Sequence, residues 1–354
     1  MVHGRTDSGR NRPLRPVLRA VGLVGLVVLA AGCRLDGTDV PLRGTAGPDP
    51  TGVTLADDAC PAPPPDGPGV VVPAGSELPA PHTVSYGPVA EQQADLYLPP
   101  TPAVGTIVWI HGGAWVGGSR TAAAIPEAIR AQVANGWAVF SIDYRLAPQH
   151  HLPYAVYDVK TAVRFLKADG AAQGIPSGTP VVLAGHSAGA HVAMLAAVSQ
   201  GAFLAFHTQL LPEELDVDPS VAGVISLAGV SDLGAWAQSG ASCIVGLTPA
   251  DIVARAIGCH QEPGEPTITC DRDTLQTLNP ESYLDAGDPP ALLVSGTSDL
   301  IVPEVNEVEL RSRWEAAVGS EHVTATALPG DGHSVASLDP AVVLRFLDSL
   351  PPTR

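Results

Sequence analysis

The chain has 354 residues, 45% of them hydrophobic, which is enough apolar material for one large core, and α/β domains of about 250 residues or more commonly form a single domain. A formal net charge of −17 excludes charge as the means of holding nucleic acid or an anionic membrane surface. Aromatic residues make up only 5%, so the core must be built mainly from Val, Leu, Ile and Ala, while 37 glycines and 35 prolines imply many turns and at least one irregular region.

The N-terminus carries Arg5, Arg10, Arg12, Arg15 and Arg19, then an uncharged apolar run over 20–31, then Gly32 and Cys33. The run is too short to span a bilayer as a helix and ends in small residues, the pattern of an export signal. Small residues directly before a cysteine resemble the bacterial lipoprotein signal, which implies that 1–32 is removed and Cys33 carries lipid. The expectation is a cell-envelope lipoprotein whose membrane contact is that anchor, or a secreted protein if Cys33 carries no lipid. Of the five cysteines, Cys60, Cys243, Cys259 and Cys270 then remain, an even number that suggests two disulfides in an oxidising compartment with the pairing open. A zinc site from Cys243, Cys259, His260 and Cys270 is the alternative, but it lacks C-x-x-C spacing. No metal site is expected from this spacing.

Residues 33–81 are rich in Pro, Gly, Asp and Ala without a sustained period, and read as a tether. From His82 the pattern changes. Short apolar strands are predicted at 83–86, 94–98, 106–110, 138–142, 181–185, 221–227, 291–295 and 323–327, with helices at 125–135, 154–167, 188–197, 305–318 and 340–350. Strands alternating with helices over 82–354 imply a mostly parallel sheet with helices on both faces, and reactive groups at the strands' C-terminal ends. One span, 231–283, breaks the alternation. It holds Trp236, three cysteines and a helical piece near 249–257, and reads as a lid or cap over the strand ends.

Chemistry concentrates at four of those ends. Residues 185–189 read Gly-His-Ser-Ala-Gly between a β-branched strand and a small-residue helix, a turn that exposes a serine hydroxyl, so Ser187 is the candidate nucleophile. A serine needs a base, and the base needs a third group to fix its tautomer. Asp299 follows the 291–295 strand and His333, in a glycine-bounded loop, follows the last one. Asp299 also has the position of a helix cap near Val302, and Asp331 is a competing acid only two residues from His333. His111 is read as shaping its loop, His150 and His151 as solvated, His186 as pointing away from the chemistry, and His191 as packed. Backbone N–H groups of Gly113, Ala114 and Ala188 are the expected oxyanion donors.

The set HGGAW (111–115), DYRLAP (143–148), GHSAGA (185–190), TSD (297–299) and GDGH (330–333) resembles the α/β-hydrolase superfamily. It is similar to hormone-sensitive-lipase-like carboxylesterases and to the feruloyl-esterase and arylformamidase-like group. The resemblance covers roughly 82–350 and implies a cofactor-free serine hydrolase acting on carboxylic esters through an acyl-enzyme. It also implies an ion pair of Asp143 and Arg145 that fixes their loop. Ala114 stands where the hormone-sensitive-lipase pattern prefers a third glycine and His186 where it prefers an acid. Both choices lean toward the second group and leave esters against formamides open. A non-catalytic binding protein of the same fold is the third reading, although no triad member is missing.

Overall fold

The computed structural model describes residues 77–202, 216–242, 244, 246–261 and 268–351. The signal segment, Cys33, Cys60, Cys243 and the tether up to residue 76 lie outside the described residues.

Ten strands are present among the described residues: β1 (His82–Ser85), β2 (Gln93–Tyr97), β3 (Gly105–Ile110), β4 (Trp137–Ile142), β5 (Val181–His186), β6 (Gly223–Leu227), β7 (His260–Gln261), β8 (Ile268–Thr269), β9 (Ala291–Gly296) and β10 (Val323–Leu328). Eight of them form one sheet in the order β1-β2-β4-β3-β5-β6-β9-β10, and β7 pairs only with β8. Within the sheet β2 alone runs against its neighbours; every pairing from β4 to β10 is parallel. The five central strands are buried at nearly every position, which is why they read as continuous apolar runs, whereas the edge strands β1 and β10 are partly exposed.

Period-two geometry sends alternate residues into two cores. Val108, Ile110, Phe140 and Leu183 face the helices α2 (Tyr154–Asp169) and α3 (Ala188–Val198). Ile107, Trp109, Val139 and Val182 face α1 (Glu127–Arg130) on the other side. Every residue of α3 is buried, as expected of a helix apolar all round. The helix predicted over 125–135 is shorter than expected. Pro126 holds Ile125 in extended backbone (φ −93°, ψ 117°), so the α-helix starts at Glu127, and the turn Ala131–Val133 tightens to 3₁₀ before Gly136 reverses the chain with φ 91°.

Among the described residues, the span 231–283 contributes no strand to the sheet. It carries α4 (Leu233–Ala237), α5 (Pro249–Ile257), the β7–β8 ribbon and α6 (Arg272–Thr277). Local signals fully specify α5: Thr248 and Asp251 form a capping box, Pro249 opens the helix, and Gly258 closes it in the left-handed region at φ 75°. A Cys259–Cys270 disulfide, Cα–Cα 4.7 Å, then ties its end across the ribbon, which removes two thiols from the four-residue zinc set. Beyond this span come α7 (Val305–Val318) and α8 (Pro340–Asp348), one on each face of the sheet.

Candidate active site

Ser187 stands between β5 and α3 with φ 55° and ψ −123°, a conformation that costs a residue with a Cβ of the order of 1–3 kcal/mol. The turn is held by Ser187 N donating to Leu227 O (2.9 Å) and by His191 N donating to Ser187 O (3.1 Å). Its glycines are needed for space. A Cβ on Gly185 would lie 2.3 Å from Gly189 O, and one on Gly189 would lie 2.2 Å from Ile110 O. The elbow is therefore pressed onto the end of β3, where the 111–115 loop begins.

In that loop Gly113 O accepts from Val116 N and Gly117 N, both at 3.0 Å, and Ala114 and Trp115 follow at φ 54° and 60°. No acceptor among the described residues meets the backbone N–H of Gly113, Ala114 or Ala188, and Ala188 lies at the positive end of the α3 dipole. His111 is buried and stacks on Tyr144 at 4.4 Å; its Nδ1–H donates to Gly112 O, and Tyr144 Oη donates to His111 O. Burial pushes the His111 pKa down, so the ring is a neutral brace beneath the loop.

Asp299 and His333 come together from adjacent strands, with Asp299 Oδ2 2.8 Å from His333 Nδ1. The other oxygen, Oδ1, accepts from Ile301 N (2.8 Å) and Val302 N (2.9 Å), so the residue caps the turn and meets the imidazole at once. Burial alone would raise this carboxyl; the His333 contact and the two amides outweigh it and hold the pKa below the ordinary value. Asp331 is occupied elsewhere, accepting from Ser337 N at 2.7 Å.

Two expectations fail. Asp143 and Arg145 do not pair with each other: Arg120 bonds Asp143, while Arg145 is held by buried Asp158 on α2 (2.7 Å). The two lie two residues apart beyond the end of β4 and meet different elements: Asp143 also accepts from the backbone N–H of Arg120, and the backbone N–H of Arg145 donates to Asp158 Oδ2. His186 does not point away either. Its ring lies 4.7 Å from that of His333, and its Nε2 is 2.7 Å from His333 O. Nothing in the periodicity marks that contact, because it joins residues 147 positions apart. His150 lies near Glu91 (3.7 Å), His151 Nδ1 donates to Arg255 O, and His191 is fully buried with Nε2 donating to Leu278 O.

The span 231–283 packs directly on these parts. Trp236, buried against Trp115 at 5.8 Å, donates from Nε1 to Ile301 O (2.7 Å), two residues past Asp299. Ser242 N donates to Leu300 O, and Ser231 Oγ to Asn306 O. Among the described residues no three His, Cys, Asp or Glu side chains gather where they could hold a metal ion.

An eight-stranded sheet in this order, with a serine elbow after its fifth strand and an Asp–His pair at its far end, defines an α/β-hydrolase. Within that class the chain belongs to the BD-FAE family, whose model matches residues 94–314. It is 30% identical over 262 residues to the esterase LipC of Mycobacterium tuberculosis and 27% identical over 272 residues to LipQ of the same organism, each alignment covering 73% of this chain. The chain spans about 60% of the length of these two relatives. Among solved structures it resembles a truncated carbohydrate esterase from gut microbiota, with a TM-score of 0.62 at 23% identity over 77% of this chain and 98% of that one. It also resembles an acetyl ester-xyloside bifunctional hydrolase from Caldicellulosiruptor lactoaceticus, with a TM-score of 0.59 at 16% identity over 77% and 97%.

Proposed function

We propose that the protein is a serine carboxylesterase that cleaves small esters through an acyl-enzyme on Ser187. The observation that carries this reading is the 2.8 Å contact of His333 with Asp299 in a loop that touches the nucleophile elbow. Membership of the BD-FAE family and the esterase relatives support it.

Since Asp299 accepts at Nδ1, that nitrogen carries the proton and Nε2 is the basic one. Nε2 takes the Ser187 hydroxyl proton as Oγ bonds to the ester carbonyl carbon. The negative charge that forms on the carbonyl oxygen is met by the N–H groups of Gly113, Ala114 and Ala188. Collapse breaks the bond to the alcohol oxygen, which leaves with the proton from His333. A water molecule then gives a proton to His333 and its oxygen to the acyl carbon, and the acid departs as Ser187 recovers its hydrogen.

Work outside the cytoplasm is part of the proposal, supported by the residues of 1–33 and by the Cys259–Cys270 disulfide, a bond that persists in oxidising compartments. The test is hydrolysis of p-nitrophenyl acetate by the Ser187→Ala variant, which is expected to fall by about 10⁴-fold or more. A fluorophosphonate probe should label the wild type at Ser187 alone. Unchanged turnover in the variant would overturn the reading.

A further inference from the structure

His186 occupies the position between strand and nucleophile, and its ring reaches across the site rather than into the core. Nε2 lies 2.7 Å from the backbone oxygen of His333. A carbonyl can only accept, so Nε2 carries the hydrogen and Nδ1 is bare. Nδ1 faces the 111–115 loop: a Cβ placed on Gly112 would stand 3.0 Å from it and 3.3 Å from Ser187 Cβ. One imidazole is thus held between the loop that offers the oxyanion donors and the loop that carries the base.

The opposite side of the His333 loop is fixed by other means. Ser298 N donates to Asp331 O at 2.8 Å, and Gly296 leaves room for the carbonyls of Asp331 and Gly332. Those contacts tie the loop to the strand that presents Asp299. Only His186, through this hydrogen bond and its ring contact, ties His333, among its described contacts, to the strand that presents Ser187. With both ties, His333 is referred to its acid and to its nucleophile at once; with one, it can stay paired to Asp299 and still drift from Ser187. A drift of about 1 Å at such a distance can cost about 10²-fold in rate.

We infer that His186 is a positioning residue for this reaction: its Nε2–H hydrogen bond to the His333 backbone sets the distance between the base and Ser187. The inference rests on the proposed role of His333 and concerns the neutral ring. Burial, followed by the neighbouring His333, pushes the His186 pKa down to about 4, so the donor is present and uncharged when His333 takes up its proton.

The experiment compares His186→Met, which fills similar space without a donor, with His186→Gln, whose amide nitrogen reaches the place of Nε2, in the full chain with p-nitrophenyl acetate. His186→Met is expected to lower kcat by about 10- to 10²-fold with KM within about twofold, and His186→Gln to retain kcat within about threefold. The low-field proton resonance of the His333–Asp299 hydrogen bond should persist in both, since the tie lost is the one to the nucleophile. Equal losses in Met and Gln, or none in either, would overturn the inference. If His186→Met fails to fold, ring nitrogen NMR of the wild type decides: an Nδ1–H tautomer of His186 contradicts the bond, and an Nε2–H tautomer upholds it. His333→Gln keeps the two readings apart. Full activity there refutes His333 as base, whereas loss there with wild-type kcat in His186→Met refutes the positioning role alone.

Discussion

At the scale of single residues, Ser187 shows how the fold supports a side chain in an unfavourable place. With φ 55° it sits where a Cβ is crowded, and the surrounding contacts to Leu227 and His191 hold it there. Replacing it with glycine removes that crowding, though glycine also gains freedom in the unfolded chain worth about 0.5–1 kcal/mol. The net expectation is that Ser187→Gly is more stable than Ser187→Ala by about 1 kcal/mol, read from denaturant midpoints at equal slope. Equal midpoints would mean that the strain has been relaxed elsewhere.

At the scale of elements, the 231–283 span carries an internal disulfide and is joined to the segment after Asp299 through Trp236, Ser231 and Ser242. The Cys259–Cys270 bridge closes an 11-residue separation, and a loop of that size loses roughly 3 kcal/mol of unfolded-state entropy in the chain-entropy account. A Cys259→Ser, Cys270→Ser double variant is expected to open first in the ribbon and the end of α5, with faster amide exchange there than in β5. Exchange that rises equally in β5 would show that the bridge stabilises the whole domain instead. The buried Arg145–Asp158 pair plays a matching part on the other flank, where Gln92 also donates to Asp158 and Arg145 lies 4.6 Å from the Tyr154 ring centre.

At the scale of the whole molecule, buried His191 and half-buried His186 and Glu307 each contribute to the response to pH. Burial depresses His186 and His191 to about 4 from an ordinary 6.5, so between those values the unfolded chain binds protons that the folded chain refuses. Stability from this source falls as pH drops through that window. Glu307 acts in the opposite direction. Burial, only partly offset by Ser295 and reinforced by Glu304, raises it to about 8, so above its ordinary 4.5 the folded chain keeps a proton that the unfolded chain has released, and stability falls as pH rises toward 8. His191→Met should flatten the acid side of the unfolding-temperature profile, and Glu307→Gln the neutral side; parallel profiles for all three proteins would refute the assignment.

How much of this was legible in the chain follows from range. The elbow, the 249–257 helix and the loops that carry Asp299 and His333 were readable because each is specified by neighbours: small residues at a tight turn, a capping box with proline and glycine, polar residues directly after an apolar strand. Continuous apolar runs likewise determined a parallel sheet, since strands covered on both faces have no polar side to show. The Asp143–Arg145 expectation failed because nearness in sequence does not decide which element a side chain meets: Arg120 reaches Asp143, and α2 brings Asp158 to Arg145. The pairing of Arg145 with Asp158, the hold of Trp236 on Ile301 and the reach of His186 to His333 were decided only by tertiary structure. Each joins segments brought together by strand order, and no local period records which strand lies beside which. The sequence by itself determined the proposed reactive groups and the strand ends that carry them; the packing of β5 between β3 and β6 decided what surrounds Ser187, because distances in the proposed site are set by the elements on both sides of it.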